Sequence, residues 1–162
     1  MENNILKTLW GDMEVAITAN GICRVQFLPY LVGDKTTKPT VFMQEITKQL
    51  NAYFCGNMQK FSLPVDLLNT TPFMKSVYLT AMQIPFGSVC SYYDLAMLAG
   101  FPNAYRAVGS AMRKNPIAIL IPCHRIVAKD GSMPVSKAGL QIKKRLLELE
   151  GIAFNEQDKV LL

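Results

Sequence analysis

The chemistry this sequence can offer is concentrated in Pro122-Cys123-His124-Arg125. An imidazole beside a thiol can take its proton, and a guanidinium adds positive charge that favours the nucleophilic thiolate. A cysteine behind an apolar run is more often a small core residue, but adjacency to Arg125 and to the chain's single histidine shifts the reading toward reaction. Glu150 points the same way. It falls in the last turn of a helix expected over residues 139–150 and stopped by Gly151, at the negative end of the helix dipole, where a carboxylate needs water or a cation. If that helix packs beside residues 122–125, Glu150 can hold and polarise His124 in a Cys/His/Glu relay. A solvated glutamate is the plainer alternative.

The elements that must position these groups are legible in outline. Residues 4–28 alternate apolar and polar, with Val15 and Ile17 before the turn Asn20-Gly21 and Ile22, Val25 and Phe27 after it, which predicts antiparallel strands. Residues 31–39 read as a charged turn. Phe42, Ile46, Leu50, Tyr53 and Phe54 then recur at helical spacing over Val41–Phe54. Residues 56–70 lose periodicity and mark a boundary between a small mixed α/β unit, residues 1–66, and a second unit, residues 70–162. There Thr71-Pro72 caps a helix running to about Gln83, and Ser91 with Asp94 opens a short helix that Gly100 breaks. Another helix, residues 103–114, carries Arg106, Arg113 and Lys114, so the pair suggests a helix-turn-helix. Asn115-Pro116 ends it. The apolar run from Ile117 to Ile121 must be buried, and it delivers Cys123 from the interior.

Composition narrows the classes. Half of the 162 residues are hydrophobic, enough for a sizeable core. No apolar run approaches a membrane span and no secretory leader is visible, so a soluble intracellular protein is expected. Cys23, Cys55, Cys90 and Cys123 are scattered, which favours free thiols, and with one histidine no metal site is expected. The net charge of +5 is uneven: residues 1–99 carry seven basic and seven acidic side chains, residues 100–162 ten and five. A phosphate-binding face in the second half would have this footprint, although a solvated surface would too.

Residues 71–151 resemble the C-terminal domain of the O6-alkylguanine-DNA alkyltransferases. The matching stretches are TPF at 71–73, IPFG at 84–87, SY at 91–92, RAVGSAMRKNP at 106–116, ILIPCHRIV at 119–127, GL at 139–140 and LLELEG at 146–151. Residues 1–60 are similar to the family's N-terminal domain only through the hairpin and one helix. The resemblance implies a ribonuclease H-like α/β N-terminal domain and a mainly α, winged-helix-like C-terminal domain with a helix-turn-helix. It implies direct repair of O6-alkylguanine, and of O4-alkylthymine, by transfer of the alkyl group to Cys123, once per protein and without cofactor or metal. His124 would take the thiol proton through a water, Glu150 would orient His124, Asn115 would shape the turn before the reactive segment, and Tyr92 would donate to the departing base. Arg106 would replace the flipped nucleotide in the stack, since the O6 atom inside a duplex cannot be reached. Ala104, Tyr105, Ala107, Gly109 and Arg113 would face the minor groove, and Met112, Arg125, Ile126, Val135, Ser136 and Lys137 would line the substrate pocket. Double-stranded DNA is the implied partner of a monomer in the cytoplasm, at the nucleoid, or in the nucleus of a eukaryote.

Two departures from the family pattern bear on substrate range. A loop usually rich in glycine with a Tyr-Ser pair reads SMPVSKAG at 132–139, with Ser136 in the tyrosine's place and the backbone N–H of Lys137 left to serve O6. Tyr105 stands where alanine is common. Two rival functions are a damage-binding module of the alkyltransferase-like type, which lacks the cysteine, and a thiol hydrolase, in which the basic helix would have no role.

Overall fold

The structure, a computed structural model, describes residues 1–30 and 39–162, so the charged turn expected at 31–39 lies outside the described residues except for Pro39. The chain divides into two compact units, Met1–Asn69 with Pro116–Ala118, and Thr70–Asn115 with Ile119–Leu162.

In the first unit the alternating stretch forms three antiparallel strands, β1 (Glu2–Thr8), β2 (Gly11–Thr18) and β3 (Gly21–Phe27), in that spatial order. Val15 faces Val25 and Ile17 faces Ile22 across the Asn20-Gly21 turn, with a register shift at Ala16/Ile17. Helix α1 (Val41–Phe54) begins where the Thr40 side chain accepts from the Met43 N–H, and it buries Met43, Ile46, Leu50, Tyr53 and Phe54. Phe42, assigned to that stripe from spacing, is only half-buried, and Met43 takes the inward position. Trp10 stacks on Phe54 with ring centroids 4.8 Å apart.

The aperiodic residues 56–70 are not a bare loop. Ile22 N–H donates to the Pro64 carbonyl at 2.9 Å and Asp66 N–H donates to the Ile22 carbonyl at 2.7 Å, so this segment runs along β3. One parallel bridge needs no alternation, which is why it left no period in the sequence. Pro116–Ala118 also borders β3: Val25 N–H donates to the Pro116 carbonyl and Ala118 N–H to the Val25 carbonyl, each at 2.9 Å.

The second unit is mainly helical: α2 (Pro72–Ala81), α3 (Tyr92–Leu98), α4 (Tyr105–Arg113) and α5 (Lys137–Leu149). Thr71 and Ser91 cap α2 and α3 through their hydroxyls, and Pro72 sits at the first helical position. The Tyr78 hydroxyl donates to the Ala111 carbonyl at 2.9 Å, joining α2 to α4, and Ser76 Oγ donates to the Ala99 carbonyl at 3.0 Å, joining α2 to the end of α3. Two helix starts differ from the expectation. α4 begins at Tyr105 rather than 103, because Asn103 takes a left-handed φ of 71° and Ala104 in the cap position has no side-chain acceptor. α5 begins at Lys137 rather than 139, because the Ser136 hydroxyl accepts from the Gly139 N–H. The two-residue strands β4 (Cys90–Ser91) and β5 (Ile126–Val127) pair in parallel. Val127, Met133, Leu147 and Val160 form a buried cluster beneath them.

Gly21 has a φ of 145°, and a Cβ there would lie 2.5 Å from the Pro64 carbonyl oxygen. We expect Gly21→Ala to lose about 1–3 kcal/mol of stability, read as a lower urea midpoint through the fluorescence of Trp10, the chain's single tryptophan. An unchanged midpoint would mean that residues 64–66 are not held against β3.

Candidate active site

Cys123 opens a 3-10 turn, Cys123–Arg125, between the buried residues Ile121 and Pro122 and strand β5. Cys123 N–H donates to the Ile121 carbonyl at 2.8 Å and Arg125 N–H to the Pro122 carbonyl at 2.9 Å. The approach is fixed from behind, since Asn115 Nδ2 donates to the Ile121 carbonyl at 2.8 Å. Ile119, a β-branched residue, adopts a φ of 74° on the way, a conformation such residues rarely take. The apolar run is buried as expected at Ile117, Ile119, Leu120 and Ile121. Cys123 itself is half-buried, its side chain neither sealed nor fully exposed.

His124 is 2 % exposed and the Glu150 side chain has no exposed surface. Glu150 ends α5 as its C-cap residue, and the cation that a carboxylate there requires is present in Arg125. His124 Nε2 lies 2.8 Å from Oε1; Arg125 donates from Nε to Oε2 and from Nη2 to Oε1, each at 2.9 Å; Gly87 N–H donates to Oε2 at 3.0 Å. Arg125 Nη1 also donates to the Ile84 carbonyl at 2.6 Å. The solvated alternative for Glu150 is therefore excluded. The guanidinium of Arg125, a residue expected at the pocket, is buried in a bidentate pair with Glu150. Removing either partner would strand the other, at a cost of roughly 3–5 kcal/mol.

Burial lowers the His124 pKa from its ordinary value, and the charges of Arg125 and Lys143 work in the same direction against the opposing pull of Glu150. The imidazole is thus neutral near pH 7. With Glu150 accepting from Nε2–H, Nδ1 carries the basic lone pair.

The parallel register of β4 and β5 sets Ser91 opposite Val127, which brings Tyr92, the first residue of α3, beside the reactive segment. Burial raises the Tyr92 and Tyr78 phenols, and negative charge on Cys123 raises both further, while Arg113 counteracts it at Tyr92. These two rings and Lys143 therefore surround the sulfur electrostatically. Lys143 is a buried charge for which the sequence assigns no role. Its signal was spacing: Lys143, Leu147 and Glu150 share one face of α5, and the first two are buried in the helix itself. Tyr78 and the backbone of Ile84 and Gly87 also went unmarked.

The residues assigned to DNA lie on or before α4. Arg106, Ala107 and Arg113 are exposed, Ala104 and Gly109 are half-buried, and Tyr105 is exposed with the Arg106 guanidinium 5.7 Å from its ring centroid. Ala104 precedes the helix as its cap rather than sharing its face. A Cβ at Gly109 would make ordinary contacts, 3.9 Å from the Tyr92 ring and from the Arg113 guanidinium. Of the pocket candidates, Met112 and Ile126 are buried, Val135 is half-buried, and Lys137 is exposed in the first turn of α5. Ser136 caps α5, its hydroxyl accepting from Gly139 N–H. Lys144 and Lys159 are ion-paired with Asp158 and Asp130, which reduces the unpaired basic surface at this end. Among the described residues no group of His, Cys, Asp and Glu could hold a metal ion, and no helix is long and apolar enough to cross a membrane.

Residues 72–152 match the family model of the 6-O-methylguanine DNA methyltransferase DNA binding domain, and residues 3–67 that of its ribonuclease-like domain. A methylated-DNA–protein-cysteine methyltransferase of Methanosarcina barkeri is 45% identical over 67% of this chain and 68% of its own length. The constitutive methylated-DNA–protein-cysteine methyltransferase of Bacillus subtilis is 37% identical over 74% and 73%. The crystal structure of Mycobacterium tuberculosis OGT in complex with DNA is similar over 93% of this chain and 92% of that one, with a TM-score of 0.81 and 32% identity. The two matches account for nearly the whole described chain, and by them it belongs to the 6-O-methylguanine DNA methyltransferase family.

Proposed function

We propose that this protein repairs alkylated DNA by moving the alkyl group from O6 of guanine, or O4 of thymine, onto Cys123. The observation that carries the reading is the half-buried thiol on a turn whose next residue is a buried, neutral imidazole held by a buried carboxylate. Cys123 gives its proton through a water to His124 Nδ1 while Glu150 fixes the ring by Nε2. The sulfur then forms a bond to the alkyl carbon as the C–O6 bond breaks, its electron pair stays on guanine, and guanine takes up a proton from the Tyr92 hydroxyl, which regains one from the protonated His124 through water. The product is a thioether, which has no easy leaving group, so each protein acts once.

Double-stranded DNA is bound through the minor groove by α4, with Ala107 and Gly109 allowing close approach and Arg113 meeting phosphate. Arg106 enters the stack in place of the flipped nucleotide. Tyr105, next to it and under its guanidinium, shapes that entry. Asn115 holds the turn ahead of the thiol, and Met112, Ile126, Val135 and the backbone of Ser136 and Lys137 line the base pocket. The protein acts as a monomer, in the compartment that holds the DNA.

Intact mass after incubation with an oligonucleotide containing O6-methylguanine tests the reading directly. We expect a permanent gain of one methylene mass in the wild type and none in Cys123→Ser, whose affinity for DNA stays within a few-fold because phosphate and groove contacts do not use the thiol. Joint loss of binding and transfer would overturn the assignment of the thiol. Arg106→Ala should slow reaction with duplex lesions far more than with O6-benzylguanine in solution, since only the duplex requires a base to be expelled; equal losses would remove its role as the finger.

The His124 environment adds a pH dependence of stability. Its folded pKa lies below the ordinary 6.5, so the unfolded chain binds that proton more readily. The associated stability is present above pH 6.5 and is lost as pH falls below it. The melting temperature of the wild type should therefore drop more between pH 6.5 and 5 than that of His124→Gln, and parallel slopes would show that the ring accepts its proton without penalty.

A further inference from the structure

Tyr105 opens α4 and keeps 42% of its surface exposed. By helical spacing it continues the inward stripe of Val108 and Met112, both buried, yet its ring is not covered as theirs are. The reason is its place in the helix: a side chain in the first turn leans back past the helix start, beyond the residues that could cover it. Over the ring lies the Arg106 guanidinium, 5.7 Å from the centroid and within reach of a cation–π contact. Arg106, Ala107 and Arg113 are themselves exposed, and α4 has no acidic residue in its first turn. An exposed aromatic ring among exposed arginines is the combination that stacks on bases while the cations meet phosphate.

We propose that Tyr105 is a second DNA-contacting residue of the repair reaction, whose ring packs against the base step that Arg106 opens and holds the duplex open while the lesion is flipped out. The inference rests on the reading of α4 as the groove-facing helix and of Arg106 as its finger. Two effects favour the open duplex. The ring holds the guanidinium over its face before binding, so Arg106 has less rotamer freedom left to lose when it enters the stack. Once the step is open, the exposed part of the ring replaces stacking that the flipped base has given up. Both effects use the face of the ring and not its hydroxyl. Neither bears on a base that is already free in solution.

The test compares wild type, Tyr105→Ala, Tyr105→Phe, Arg106→Ala and the double variant Tyr105→Ala/Arg106→Ala in single-turnover transfer from a duplex containing O6-methylguanine and from free O6-benzylguanine. Tyr105→Ala should react roughly tenfold more slowly with the duplex, the usual effect of removing one base–aromatic contact, and lose much less with O6-benzylguanine. Tyr105→Phe should match wild type on both. On the duplex the double variant should be slowed by less than the product of the two single losses, because ring and guanidinium act on one base step. An unslowed duplex reaction in Tyr105→Ala, equal slowing on the two substrates, failure of Tyr105→Phe to restore the rate, or single losses that simply multiply would overturn the proposal. If Tyr105→Ala is too unstable to assay, Tyr105→Leu decides, since it keeps apolar bulk without a ring face and should show the same duplex-specific loss. Equal losses on both substrates in Arg106→Ala would instead sink the finger reading, and the Tyr105 variants would still decide whether the ring meets the duplex.

Discussion

The carboxylate of Glu150 is buried at the C-terminal end of α5, where the helix dipole opposes it, and the surrounding structure is organised to compensate that charge. Three separate stretches contribute: the 84–87 turn through Gly87 N–H, the reactive turn through His124 and Arg125, and α5 itself. Each gains something from the meeting. The turn at 84–87 is closed by the Ile84 carbonyl, which accepts from Arg125, and by Gly87, where a Cβ would lie 3.2 Å from the Glu150 carbonyl oxygen. His124 is locked in one tautomer. Without the carboxylate a guanidinium would be buried alone, so the ion cluster is obligatory for the unit rather than an addition to it.

The same cluster explains how His124 and Arg125 divide their work. Both touch one carboxylate, the guanidinium in bidentate fashion, and at the imidazole burial outweighs the attraction of Glu150. Neutral histidine is the outcome. A base that stays unprotonated near pH 7 next to a half-buried thiol is what thiol activation requires, and here it follows first from burial of the ring, to which the Arg125 charge adds.

Around the thiol the supporting geometry is short-range and rigid. Two residues of parallel pairing between β4 and β5 bring Tyr92 to the reactive turn, and one side-chain amide, that of Asn115, holds the carbonyl two residues before Cys123. The helix that carries the exposed Arg106 and Arg113 passes the half-buried Tyr92 of α3 at Gly109. Tyr78 completes the frame from α2, with its hydroxyl on the Ala111 carbonyl of α4.

What could be read from the sequence alone was whatever depends on neighbours a few residues apart. The Asn20-Gly21 turn, the bounds of α1, the Thr71-Pro72 and Ser91/Asp94 helix starts and the burial of the 117–121 run all follow from local sterics, capping and periodicity, and the Cys123-His124-Arg125 adjacency is visible without any fold. Local ambiguity caused the small misses: Ser136 could be a loop residue or a cap, and only its hydroxyl on Gly139 N–H decided that α5 starts at Lys137. Residues 62–66 carried no period because a single parallel bridge to β3 demands none. The larger differences concern charge. Glu150 and Lys143 look in sequence like the many solvated charges of a helix, and Arg125 like a pocket cation, yet all three are buried. Burial of a charge depends on which surfaces pack over it from distant parts of the chain and on whether a partner arrives with them, and no local pattern encodes that; only the tertiary structure does.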